Sequence, residues 1–241
     1  MSPGILRAAV VSAALFLPAI AGTTSVDINP VRIDLAGQGQ PAELRLTNNG
    51  DTELALQVDV MQWRQDDAGS DRLVETDQLL AVPPLFTIPP GEQQIVRIGY
   101  LGLPNPDLEQ SFRLLVTELA EPSGDEQRAS SLAMRMRFSI PAFVAPTVAP
   151  AEPEIVMQSV EADENGTRIS ISNAGNAHAR LKDLEVRRPG GWDPLPDSIS
   201  IRYLLPGATA IIELPPDEVF SAVRIGSTDG RDWEYVVRSP F

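Results

Sequence analysis

The chain reads as all-β: two immunoglobulin-like β-sandwich domains in tandem, joined by a Pro-rich hinge. Three observations predict this. Short runs rich in Val, Ile, Leu and Thr alternate with Gly, Pro, Asn and Asp, and no stretch keeps a helical period for several turns. A Pro- and Ala-rich segment, Pro141 to Pro153 (PAFVAPTVAPAEP), breaks that rhythm in mid-chain. Beyond it two landmarks return in the same order. Leu44-Arg45-Leu46-Thr47-Asn48-Asn49-Gly50 is echoed by Ile169-Ser170-Ile171-Ser172-Asn173-Ala174-Gly175. Phe86-Thr87-Ile88-Pro89-Pro90-Gly91 followed by Ile95–Ile98 is echoed by Tyr203-Leu204-Leu205-Pro206-Gly207 followed by Ile211–Leu214.

In chain order, residues 1–21 read as a secretory signal peptide. Arg7 supplies the charge, Ala8–Phe16 is an apolar run too short to span a bilayer, and Ala19-Ile20-Ala21 resembles a cleavage site. Residues 22–146 form the first domain, 147–153 the linker and 154–241 the second domain. Strands are expected at Ser25–Leu35, Ala42–Asn48, Glu53–Trp63, Leu79–Thr87, Gln93–Leu101, Ser111–Leu119 and Ser130–Val144. Leu54, Leu56, Val58 and Val60 alternate as a strand with one buried face should. Asn48-Asn49-Gly50-Asp51 suits a tight connection through residues that tolerate positive φ. Pro89-Pro90-Gly91 suits a type II turn, Asp66–Asp71 a polar hairpin tip, and Asn165-Gly166 a hairpin in the second domain.

Composition narrows the function. A net charge of -14, from 19 Lys+Arg against 33 Asp+Glu, repels phosphate backbones and argues against nucleic acid. With no cysteine, each domain must stand on its apolar core. His178 is the single histidine, which removes multi-histidine metal sites; it reads as a surface histidine at a turn-to-strand junction. No nucleophile elbow or phosphate loop appears, so neither catalysis, a cofactor nor a metal is expected. No stable membrane insertion is expected of the mature chain.

The stretch with most to offer is Ser131–Val144. Leu132, Met134, Met136, Phe138 and Ile140 fall on one face, with Arg135 and Arg137 on the other. Two readings are open: a last core strand, or an apolar row lent to another protein.

Several pieces in order resemble the PapD-like periplasmic chaperones of pilus assembly. They are Asn29-Pro30-Val31-Arg32-Ile33, Thr47-Asn48-Asn49-Gly50, Pro83-Pro84-Leu85-Phe86, Pro89-Pro90-Gly91-Glu92 and the Ser131–Val144 strand. They cover the first domain well and the second only by position. The resemblance implies a periplasmic chaperone that caps pilin-like subunits by donating this strand and delivers them to an outer-membrane usher. Self-association of the free protein stays open. The resemblance also implies basic residues that hold the subunit's C-terminal carboxylate. Arg32 matches the first-strand arginine of that motif. The family's last-strand lysine is missing from Pro141-Ala142-Phe143-Val144-Ala145-Pro146, which looks more like the divergent branch serving archaic or spore-coat-type pili. Arg113 is the substitute candidate, with a surface cation as the other reading. A different class of function also fits: a secreted adhesive or carbohydrate-binding protein, with Trp63, Trp192 and Trp233 as a stacking platform.

Overall fold

The computed structural model describes residues 25–36, 39, 41–67, 69–119, 135–148, 150–163, 166–195, 203–214 and 220–237. The signal-peptide segment, Leu132, Met134 and Asn165 lie outside them. In the first half, β1 (Val26–Asn29), β3 (Ala42–Asn48), β8 (Gln93–Tyr100) and β6 (Leu79–Val82) form one sheet in the order β1-β3-β8-β6. The facing sheet runs β2 (Ile33–Leu35), β10 (Arg137–Val144), β9 (Gln110–Glu118), β4 (Leu54–Gln65) and β5 (Asp71–Glu75), with β7 (Leu85–Ile88) on β4. Leu44 and Leu46 of β3 and Val96 and Ile98 of β8 meet Leu56, Val58, Leu114 and Val116 of the facing sheet in one buried core. The period-2 pattern thus does what pleating demands, one row in and one row out.

Two expected strands are each divided at proline. Ser25–Leu35 splits around Pro30 into β1 and β2, and Leu79–Thr87 splits around Pro83-Pro84 into β6 and β7. A proline has no N–H for the ladder, so each half continues in the other sheet. The last strand also begins later than the Ser130 expected from alternation: Arg135 and Met136 precede it without strand geometry. β5 was not foreseen, because all five of its residues are exposed and carry no inward row.

In the second half, β11 (Ile155–Asp163), β12 (Gly166–Asn173) and β15 (Thr209–Leu214) face β14 (Gly191–Pro194), β13 (Leu181–Arg188), β16 (Ala222–Ser227) and β17 (Asp232–Val236). Ile169, Ile171, Ile212, Val186, Val223 and Ile225 fill the space between these sheets.

The repeated landmarks have a shared structural job. Gly91 and Gly207 both take φ 75°, and the turns close through Glu92 N–H to Pro89 O at 3.1 Å and Ala208 N–H to Leu205 O at 3.0 Å. Both are type II turns that need glycine at the third position. The asparagines are not positive-φ residues, contrary to expectation; no described non-glycine residue has positive φ, and Gly50 does not either. They are buried polar brackets instead. Asn48 Nδ2 donates to Thr52 O (2.7 Å) and Ile88 O (2.9 Å), while its Oδ1 accepts from Gly50 N–H. Asn173 Nδ2 donates to Ala177 O (2.7 Å) and Leu204 O (2.9 Å), and Oδ1 accepts from Gly175 and Glu154 N–H.

Asn173→Ala would strip the buried Ala177 O of its amide donor and the Gly175 and Glu154 N–H groups of their acceptor, while Leu204 O keeps Ala179 N–H. Each such loss costs about 1–3 kcal/mol, so a total near 3 kcal/mol is expected in urea unfolding. Exposed Asn49→Ala should stay within about 0.5 kcal/mol of wild type. Equal effects would remove the bracket role.

Candidate functional site

The β10 strand has two different edges. Along its whole length it pairs antiparallel with β9, Arg137 opposite Thr117 through Val144 opposite Gln110. On the other side β2 pairs in parallel only with Ala142–Val144. Arg137–Pro141 therefore has an open edge among the described residues. Ala145 N–H donates to Leu35 O, and Met136 O accepts from Glu118 N–H. Backbone groups alternate along a strand, so those of Arg137, Ser139 and Pro141 face the open side. Pro141, lacking an N–H, stands where the edge passes to β2.

The side chains of the same strand alternate too. Ile140, Ala142 and Val144 point into the first core, and Phe138 packs partly against it. Ile140 is only 5% exposed, so in this structure it serves the domain's own sandwich. Met136 is half-buried. On the opposite face, Ser139 and Pro141 line a cleft of about 730 Å³ between the two sandwiches. Val31, Arg32, Trp63, Gln65, Arg113, Arg180 and Tyr203 complete its principal walls.

Arg113 sits on β9 opposite Pro141. Its guanidinium lies 3.6 Å above the Trp63 ring and 5.6 Å from that of Tyr203. Asp71 Oδ2 is 3.6 Å from its NH2, and the side chain is only 13% exposed. It is therefore not a surface cation. Burial pushes its pKa below the usual arginine range, partly offset by Asp71 and then Tyr203; a guanidinium stays charged regardless. The fold thus holds a cation already stripped of much of its water, in fixed orientation, at the end of an open strand edge. Arg32 precedes β2 on the same cleft and is half-exposed, with Asp34 at 2.9 Å. The structure brings both predicted arginines to one cavity. Arg135 and Arg137 are exposed, with no ion pair among the described residues.

How the two sandwiches meet around the cleft was not visible from the sequence. Trp63 (2% exposed) and Phe143 (2% exposed) belong to strands of the first sandwich yet pack in the core of the second. Gln65 Nε2 donates to Tyr203 O, and its Oε1 accepts from Leu205 N–H, each at 2.9 Å. His178 is not a surface histidine. Its ring stacks on Phe143 at 3.6 Å between centroids and 9° between planes, and Nδ1 lies 2.8 Å from Glu109 Oε1. No local pattern could announce this, because Glu109 and Phe143 come from the other sandwich. The connecting segment is held as well: Asn176 Nδ2 donates to Pro150 O and its Oδ1 accepts from Glu152 N–H. Gly175 lies so close that an added Cβ would meet Glu152 O at 2.3 Å. The three tryptophans form no common platform, since Trp63 is buried beneath Arg113 and Trp192 is covered by Arg224 at 3.9 Å.

Comparison with known proteins follows the same lines. The chain is similar, at 23% identity and TM-score 0.66, to a chain of the CsuC–CsuE chaperone–tip adhesion subunit pre-assembly complex of archaic Csu pili from Acinetobacter baumannii; the match covers 88% of this chain and 97% of that one. A chain of the Salmonella enterica SafA pilin–SafB chaperone complex matches at 18% identity and TM-score 0.63, covering 89% and 97%. The E. coli chaperone DraB matches at 17% identity and TM-score 0.59, covering 89% and 97%. These likenesses speak for the fold. No curated protein sequence matches significantly. Residues 25–150, more than half of the 241, match the family model "Pili and flagellar-assembly chaperone, PapD N-terminal domain". The chain belongs to this family of pilus-assembly chaperones, which are not enzymes.

Proposed function

We propose that the protein is a periplasmic chaperone that caps pilin-like subunits by adding β10 and the residues before it to their open sandwich, then yields them to an outer-membrane usher. The observation that carries this is the open edge at Arg137–Pro141 ending at Arg32 and Arg113. A chain docked there lies in line with β2, on the same side of β10. If its C-terminus reaches Arg32 at the start of β2, it must run in the direction of β10. The added strand is therefore parallel to β10, as β2 is, and its terminal carboxylate falls at the guanidinium groups. The apolar row then divides its labour. Ile140 and Phe138 hold the strand to its own core, while Met136, Met134 and Leu132 are the residues offered to the subunit. Each residue fully buried in this way contributes roughly 1.5–3 kcal/mol, set against about 4–15 kcal/mol for association. Capping on that scale is firm enough to protect and loose enough to exchange. Arg113 in place of a last-strand lysine supports placement in the archaic or spore-coat-type branch.

The test is periplasmic co-expression with a pilin-like exported subunit encoded beside the chaperone gene, followed by pull-down. Wild type should recover soluble subunit, and Met136→Glu, at a half-buried site outside the strand, should fold yet recover about tenfold less or worse, because a carboxylate enters an apolar groove. Undiminished recovery by that variant would remove the donor row. Failure of the wild type to protect any such subunit, together with binding to a glycan array, would favour the adhesive reading instead.

A further inference from the structure

The cleft contains a third arginine that neither motif nor alternation singles out. Arg180 lies between the β12 turn and β13, on the second sandwich, directly after Ala179, whose backbone bridges to Leu204 in both directions at 2.9 Å. Its position is therefore fixed by a hydrogen-bonded bridge rather than by a free loop. The side chain is exposed and reaches the Tyr203 ring at 5.8 Å.

Its charge is handled differently from those of its neighbours. Arg32 has Asp34 at 2.9 Å and Arg113 has Asp71 at 3.6 Å. No hydrogen bond or ion pair engages the Arg180 guanidinium among the described residues. Arg32 and Arg180 also line a second, smaller cavity on the other side of the rim, with Glu109, His178, Asp229 and Arg231. The two arginines thus line both cavities, one from each sandwich. Arg180 has no carboxylate in ion-pair contact among the described residues, although Glu109 and Asp229 line the same smaller cavity. Like charges held together repel, and an anion seated between them relieves the repulsion.

We infer that Arg180 is the second sandwich's contribution to the carboxylate site, so that a docked chain terminus is gripped from both domains at once. This rests on the capping function proposed above and adds a residue to its anchor. Arg32 and Arg113 carry partly compensated charge and set position, while Arg180 supplies the uncompensated charge. A carboxylate has two oxygens and several lone pairs, enough to accept from more than one guanidinium. Docking would then tie the two sandwiches through the ligand itself.

The test is a competition in the periplasm. Wild-type and variant chains bearing different tags are co-expressed with limiting amounts of the subunit recovered above, and the ratio captured reports relative affinity. The subunit is used with its native C-terminus and with two glycines appended, which displace the carboxylate. Arg180→Ala is expected to lose the native-terminus competition by about tenfold. With the appended glycines the variant and wild type should compete within about threefold, because the group Arg180 serves has moved. Arg180→Lys, which keeps the charge without the fork, should recover part of the loss. Circular dichroism and urea unfolding confirm that each variant is folded, as an exposed position predicts. Equal capture of Arg180→Ala and wild type with the native terminus overturns the inference. So does a deficit that is the same with both termini, or a lysine variant that recovers nothing. A wild type that binds both subunit forms equally defeats the carboxylate anchor as a whole, which is a failure of the earlier reading and not of Arg180 alone.

Discussion

Phe143→Ala should destabilise the protein by roughly 3–5 kcal/mol, the range for emptying a large aromatic site in a core that cannot collapse. Phe143 is 2% exposed and lies among groups from both sandwiches. Trp63 is 6.0 Å away between centroids, Tyr203 is 6.0 Å away, and His178 stacks flat at 3.6 Å. Truncation removes the ring against which the second sandwich is oriented. Two readouts are expected to move together: the urea midpoint falls, and small-angle scattering shows a wider distribution of distances between the sandwiches. A shift below about 1 kcal/mol with unchanged scattering would mean that the aromatic cluster is not what joins them.

The second large effect is on binding. Arg113→Ala is expected to cost about 2–5 kcal/mol of subunit affinity, the usual toll for truncating one partner of a desolvated charge pair. Soluble complex would then fall below detection in a pull-down. Arg32→Ala should do less harm, because Arg32 is half-exposed and already shares its charge with Asp34 in a solvent-screened pair. Arg113→Lys is an informative intermediate. A lysine keeps the charge but cannot lie flat 3.6 Å above Trp63 while presenting a planar fork. If Arg113→Ala protects the subunit as well as wild type does, the anchor lies elsewhere in the cleft.

What could be read in the sequence is what is local. Strands with one buried face announced themselves through period-2 alternation: β3 was placed to the residue, and β4, β8 and β9 to within about two residues. The repeat of Asn-x-Gly and Pro-Gly landmarks pointed to two related sandwiches, although the asparagines act through buried amides and not through the positive φ first assigned to them. β5 escaped because a wholly exposed strand carries no alternation. The divided strands at Pro30 and Pro83-Pro84 show a breaker overriding an apolar run. In the candidate site, Arg32 and Arg113 were picked out through the family resemblance, Arg32 by its motif and Arg113 as the substitute for the missing lysine. The packing of Trp63, Tyr203 and His178 was not legible, because it comes from the meeting of two sandwiches. His178 is instructive: alone in sequence it looked solvated, yet Glu109, sixty-nine positions away, accepts its backbone N–H and lies against its ring.

The open edge of β10 has a consequence for the molecule when it stands alone. The backbone groups of Arg137 and Ser139, unpaired among the described residues, are the same template that drives edge-to-edge polymerisation of strands. Pro141 removes one donor from that template, and Arg135 and Arg137 place two exposed guanidinium groups beside it. A second copy adding edge to edge would bring four such charges together, whereas a partner strand with apolar or acidic neighbours would not. Proline and arginine in these places are gatekeepers, which penalise the stacking of identical chains into a growing fibre.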